Sequence, residues 1–395
     1  MRSSGWRPKL PKNVSSKILI EAEIEKIEYH PTLNESLPQV TLDDFQSGRA
    51  FKHSRFVVEY APLKTAAVSC WTSPKRTRTY PYARVYDTLS YPVRLTIIPF
   101  VKDEGKAGDL DYLQWDTVSL MSLLGVYVIP AYYADAKPSS RRREKITAQK
   151  FDYAYLTERL QSFISFNQSD AAHWNMDELQ ENGVRVAQQA KLSYAEISSK
   201  THIPLHNLQG IDQRIIEMLA DIENFKNRSR KGAQSAQARE GNTLHASEVT
   251  REDKALLTIK NFIGGYYYWT ADEAIIKDDA VIIVEKKHST TDKLPSRGDV
   301  KDALVKMILF ANLTRAYVSG KEYQPRPAIG LTSALLNGAC HNQMTKTEIA
   351  AFFAKNALNV KQRQWIQQLF HEANTNHFLL AIGSPALRVS DLITT

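Results

Sequence analysis

The chain has 395 residues, 43% of them hydrophobic and 24% charged, with a formal net charge of +8 and a sequence pI near 9.2. That length allows two or three domains with substantial cores, and the composition is that of a globular protein, not a disordered or fibrous one. Two cysteines, Cys70 and Cys340, argue against a disulfide-stapled scaffold, no apolar run reaches the roughly 20 residues of a membrane span, and the mild basic excess suits a polyanionic partner.

Residues 1–150 read as an α+β region. The start carries Arg2, Arg7, Lys9 and Lys12 but lacks the apolar core of a signal peptide, so a reduced, cytoplasmic protein with no membrane partner is expected. Lys17–Ile27 fits a helix or a strand. Trp71–Tyr86 interleaves Lys75, Arg76, Arg78 and Arg84 with Tyr80, Tyr82 and Tyr86, broken by two prolines. Cations can meet phosphates while rings pack on sugars or bases, so this stretch is a candidate DNA-contacting loop; the alternative is a solvated loop with anchoring tyrosines. Val93–Phe100 and Val126–Tyr133 read as strands. Between them lie the acid-rich loop 102–116 and a helix near Asp116–Leu124. No E-x-K strand follows that loop, which is expected to be structural or to serve recognition. Arg141, Arg142 and Arg143 form a charge run that faces solvent or phosphates.

From Phe151 to Asn224 the periodicity is helical. A short helix Tyr194–Lys200, a turn at Thr201–Pro204 and a second helix resemble a helix-turn-helix, a pattern many helical hairpins share. Residues 225–245 are polar, small and basic, as in a flexible linker, and separate a domain over 246–395. This domain opens with Thr250-Arg251-Glu252-Asp253, a capping pattern for a helix through Ala255–Ile259 that Gly264-Gly265 ends. A strand at Tyr266–Trp269 follows.

The chemistry gathers in Ala271–Ser289. Glu273–Ile276 and Ala280–Val284 flank the polar turn Lys277-Asp278-Asp279, a β-hairpin signal whose second strand is apolar enough to be covered on both faces. It ends in Glu285-Lys286-Lys287, with Glu285 and Lys287 on one face. A two-residue turn at Asp278-Asp279 puts Asp272 opposite Glu285, with Cβ atoms about 5 Å apart; a three-residue turn puts Glu273 there. Two carboxylates that close repel unless a cation joins them, and a hard ion such as Mg2+ suits them. The alternative is a cross-strand salt bridge at an exposed hairpin end. Beyond it come a helix at Asp299–Asn312, with Lys301 and Lys306 reaching for phosphates or solubilising it, a strand at Arg326–Ser333, one or two helices in Thr345–Ala373, and a strand at His377–Gly383.

An acidic residue, a hairpin, E-x-K and a following helix resemble the PD-(D/E)XK nuclease superfamily of type II restriction endonucleases over about Thr250–Ser384, although Ala271-Asp272 stands where Pro-Asp is usual. The resemblance implies an α/β (α+β) chain whose C-terminal mixed sheet is restriction-endonuclease-like and flanked by helices, after an N-terminal recognition region and a helical middle segment. It implies Mg2+ held by Asp272 and Glu285, with Lys287 catalytic, Glu273 as the second choice of ligand and Glu252 as a supporting glutamate. It also implies sequence-specific cleavage of double-stranded DNA, by a homodimer if the site is symmetric. A repair or modification-dependent nuclease would share this site; a non-catalytic DNA-binding regulator would rely on the helix-turn-helix-like segment.

Overall fold

The computed structural model describes residues 18–33, 35–75, 79–165, 170–220 and 254–392, together with helical residues at 226–227, 229–231, 234–235 and 237–238. The architecture is mixed α+β, with two principal sheets whose connecting helices meet. Among the described residues no helix is long and apolar enough to cross a membrane.

The larger sheet has nine strands. Its path runs Tyr266–Ala271, Ala255–Asn261, Ile18–Ile24, Arg315–Val318, Lys321–Ser333, Ala280–Ser289 and Glu273–Lys277; Leu379–Gly383 joins Lys321–Ser333 off that path and carries Ala339–His341. At its centre Ala280–Ser289 runs parallel to Lys321–Ser333 and antiparallel to Glu273–Lys277. Val281 and Ile283 enter the main core, while Ile282 and Val284 pack on Ala328, Leu379 and Ala381, so the strand is covered on both faces.

Two parts of this sheet differ from expectation. Ala255–Asn261 is a strand, not a capped helix. Ala255, Leu257, Ile259 and Asn261 are buried while the residues between them are not, a period of two that only a strand can satisfy. Ile18–Ile24 is also a strand, parallel to Ala255–Asn261 and antiparallel to Arg315–Val318. The chain's first described strand thus sits inside the C-terminal sheet, and divisions at residues 150 and 246 cut across it.

The smaller sheet has the order Gln39–Val40, Arg55–Ala61, Lys64–Cys70, Arg94–Pro99, Tyr127–Ala131, and contains both strands expected in this region. The helix expected between them is Trp115–Leu123, buried along its whole length. The acid-rich loop before it folds as a small hairpin, Val101–Asp103 with Leu110–Tyr112. Buried Asp103 accepts from His206 N at 2.9 Å and lies 2.8 Å from its Nδ1, while Glu104 is held by Lys102 (2.7 Å) and Lys145 (2.6 Å). Burial pushes the Glu104 carboxyl up, but these two ammonium groups outweigh it and bring it down to about 2. Asp103 and Glu104 thus both have partners within the fold.

The helix-turn-helix expectation is overturned. Tyr194–Lys200 is the last part of one 31-residue helix, Ala171–Thr201, with Tyr194 and Ile197 on its buried face. The connection to Gln209–Ala220 runs from His202, in the left-handed conformation, to Leu208 and is pinned through His206 to Asp103; the compact turn of that motif is missing. Nor is 225–245 a loose joint in its described part. Those residues are helical, and Gln237 donates to the carbonyls of Leu257 and Trp269, both at 2.8 Å, anchoring the segment to the sheet's edge.

Candidate active site

The hairpin turns in two residues, with Asp278 at φ 51° and Lys277 paired with Ala280. The register continues to Glu273 opposite Val284, and Asp272 is next in line, facing Glu285. Asp272 N donates to the Val284 carbonyl at 3.0 Å, and its Oδ2 accepts the Lys286 N–H at 2.7 Å, which fixes the carboxylate against the strand end. Glu273, the second choice of ligand, belongs to the other face: it is buried and pairs with Lys286 Nζ at 2.9 Å.

The helix Arg297–Phe310 completes the cluster. Ser296 caps it by accepting from Asp299 N, and residues 300–305 and 307–310 are all buried, as expected of a helix with elements on every side. Asp302 and Lys306, four apart and so on one face, point at the strand end. Lys306 Nζ donates to both Glu285 oxygens at 2.8 Å; Lys287 Nζ bonds Glu285 Oε1 at 3.0 Å and Asp302 Oδ2 at 2.8 Å. Sequence reasoning left Asp302 out and gave Lys306 either to phosphates or to solvent. The signal was present: they are the charged pair at i, i+4 on a helix otherwise apolar enough to be buried.

Electrostatically the site is a cage of two ammonium and three carboxylate groups at a desolvated strand end. Burial pushes the Glu285 carboxyl up, but Lys306 and Lys287 overcome this and hold it below the usual value. For Asp272 burial comes first, the Glu285 charge adds to it, and the carboxyl rises to about 6 despite the nearby lysines. Burial also lifts Asp302 above the usual range, only partly opposed by Lys287. Among the described residues no three His, Cys, Asp or Glu side chains form a metal-ligand group by themselves. The pair Asp272 and Glu285 nonetheless fits Mg2+, which takes one or two carboxylates and keeps several waters. An aspartate whose negative charge is disfavoured beside a second carboxylate gains most from such a cation.

No family model, curated protein or solved structure matches the chain.

A measurable consequence follows from the raised Asp272 carboxyl. An unfolded aspartate titrates near 3.9, so between about pH 4 and 6 the folded protein binds a proton that the unfolded chain has released. Stability contributed by this group therefore declines as pH rises through that window. Asp272→Asn is expected to melt higher than the parent at pH 7, the difference closing near pH 4. Thermal melts at the two pH values check this.

The other expected site residues are dispersed. Glu252, Arg76 and Arg78 lie outside the described residues. Lys75 is exposed, 3.9 Å from Asp111. Half of the stretch read as a DNA-contacting loop or a solvated loop with anchoring tyrosines is the helix Thr79–Tyr86, on which Tyr82 and Tyr86 are buried. Tyr82 is 3% exposed, packed between Trp71 (5.8 Å between centroids) and Trp269 (5.5 Å). Tyr80 accepts from Thr72 Oγ1 at 2.8 Å and lies under the Arg84 guanidinium, which also donates to the Cys70 carbonyl. Lys301 is 3% exposed and buried against Asp87 and Glu35, so it cannot reach a phosphate. Arg141, Arg142 and Arg143 remain exposed, at the turn joining Tyr133–Pro138 to Ile146–Phe151.

Proposed function

We propose that the protein is a Mg2+-dependent endonuclease that hydrolyses phosphodiester bonds of double-stranded DNA, a type II restriction enzyme of the cytoplasm. The observation that supports this reading is the meeting of Asp272, Glu285 and Lys287 at the end of a buried strand that continues into a helix and a parallel strand. Asp272 and Glu285 would hold the ion, which when bound supplies a hydroxide at neutral pH and neutralises phosphate charge. Lys287 would sit beside the reacting phosphate and stabilise the negative charge growing on its oxygens. Lys306 keeps both Glu285 oxygens oriented, and Asp302 keeps Lys287 protonated and in position. In-line attack expels the 3′ oxygen and leaves a 5′-phosphate, as the family resemblance implies.

Incubating the purified chain with phage DNA and Mg2+ tests the reading: discrete fragments are expected, and DNA left intact rejects it. The exposed arginines supply a second check. Replacing Arg141, Arg142 and Arg143 together with alanine is expected to weaken duplex binding and to flatten its salt dependence, by about 0.9 in log–log slope for each phosphate that the arginines had neutralised. Titrations at several salt concentrations measure that slope, and the melting temperature stays near that of the parent.

A further inference from the structure

The two principal sheets repeat one order of elements. In the larger, the hairpin Glu273–Lys277 and Ala280–Ser289 turns at two residues, the helix Arg297–Phe310 leads to the parallel strand Lys321–Ser333, and two helices lead to the parallel strand Leu379–Gly383. In the smaller, the hairpin Arg55–Ala61 and Lys64–Cys70 also turns at two residues, Pro62 and Leu63. The helix Thr79–Tyr86 then leads to the parallel strand Arg94–Pro99, and Trp115–Leu123 to the parallel strand Tyr127–Ala131. Each sheet also carries a small insertion, Arg315–Val318 in one and the acidic hairpin in the other. The first crossover helices of the two units, Thr79–Tyr86 and Arg297–Phe310, pack on each other, as matching elements do across a two-fold axis.

The registers can be laid side by side. Lys277 paired with Ala280 corresponds to Ala61 paired with Lys64. Glu285 then corresponds to Ser69 and Lys287 to Trp71. Opposite Ser69 stands Arg55, where Asp272 stands opposite Glu285. Ser69 donates to Thr96 Oγ1 at 2.9 Å, Trp71 is fully buried, and Arg55 pairs with Asp87 and with Glu35. A hydroxyl, an indole and a guanidinium offer a hard cation no carboxylate. The smaller unit still borders the reaction centre, because Tyr82 stacks on Trp269, whose ring lies 5.6 Å from Lys306 Nζ.

We infer that the unit spanning residues 55–131 is a catalytically silent copy of the nuclease-like unit, paired with it inside one chain, so that a single chain holds one reaction centre and cuts one strand of a duplex per encounter. This rests on the nuclease reading and replaces the homodimer expected for a symmetric target. The helix Arg297–Phe310 is already covered by its internal counterpart Thr79–Tyr86 and offers no free face to a second copy of itself.

The test is cleavage of a supercoiled plasmid carrying a phage DNA insert, with Mg2+, at protein concentrations well below that of the plasmid. Nicked circles are expected as the first product, at a rate linear in protein, and an excess of Glu285→Ala chains leaves the rate at saturating plasmid unchanged. Linear product formed without a nicked intermediate overturns the internal pairing while leaving the nuclease reading intact, as does a rate that rises with the square of protein and collapses when inactive chains are added. No cleavage at all overturns both.

Discussion

Glu285→Ala and Lys287→Ala are each expected to lower Mg2+-dependent DNA cleavage by at least about 10²- to 10³-fold while leaving DNA binding largely intact. Glu285 touches both ammonium groups of the cage and faces Asp272, so its removal takes away a proposed ligand of Mg2+ and an anchor of Lys287 together. Lys287→Ala leaves both carboxylates in place but removes one of the two ammonium groups of the cage. It also leaves Asp302, already pushed up by burial, without its ammonium partner. Because the groups act as a unit, the double variant is expected to be little worse than either single one. Glu285→Gln keeps the shape of the side chain and guards against loss from misfolding. Single-turnover cleavage and duplex binding, measured on the same preparations, separate the two effects. Cutting retained by both alanine variants rules this site out.

The site was legible in the sequence where its geometry is local. The register that joins Asp272 to Glu285 depends on alternation along the strand, readable from the apolar run Ala280–Val284, and on a two-residue turn, one of the two turns that Lys277-Asp278-Asp279 left open. What alternation cannot supply is the contact between strand and helix, and so Lys306 was read as a surface lysine, phosphate-seeking or solubilising, when its ammonium closes on Glu285. The same holds for Tyr82 and Arg84. Cations interleaved with aromatics look like a nucleic-acid loop, but at helical spacing those residues turn toward Trp269 and the Cys70 carbonyl.

The fold was misread where a local signal competed with a long-range one. The capping pattern around Thr250 favours a helix, yet Ala255–Asn261 gains more by pairing on both sides, with Ile18–Ile24 and Tyr266–Ala271. Its turn to the next strand needs a left-handed residue, which Gly264 supplies at φ 81°. Gly265 allows close approach, since a Cβ there would meet Ser119 Oγ at 2.1 Å. The strand Ile18–Ile24 crosses more than 200 residues of sequence to reach its partners, a pairing no window of the chain announces. Likewise, the polar composition around Gln237 suggested a linker because a carboxamide satisfying two sheet carbonyls cannot be told from a solvated one by composition.

Lys301→Met is expected to destabilise the fold by about 3–5 kcal/mol, the usual cost of breaking a buried ion pair from one side. Lys301 Nζ bonds Asp87 and, at 2.8 Å, Glu35; Arg55 contacts the same two acids, and Arg297 reaches Glu35 at 3.3 Å. Asp87 follows the helix Thr79–Tyr86 and Lys301 lies on Arg297–Phe310, so this network clamps the two units together beside the reaction centre. Burial, with the Glu35 charge adding to it, drives the Asp87 carboxyl above its usual value even with the lysine present; with methionine there, only Arg55 answers it. Glu35 stands on the other side of its usual value: burial pushes it up, but Lys301 and Arg55 bring it below the usual range, so loss of the lysine is expected to raise it as well. A phosphate-contacting lysine would behave in the opposite manner, leaving the melting temperature unchanged and reducing the salt slope of DNA binding. Adding Asp87→Leu to Lys301→Met replaces the pair with apolar groups and is expected to restore part of the missing stability, since an unpaired buried carboxylate costs more than a missing pair. Melting temperatures of the parent, both single variants and the double variant complete the cycle, and a single Lys301→Met as stable as the parent would show that the clamp contributes nothing.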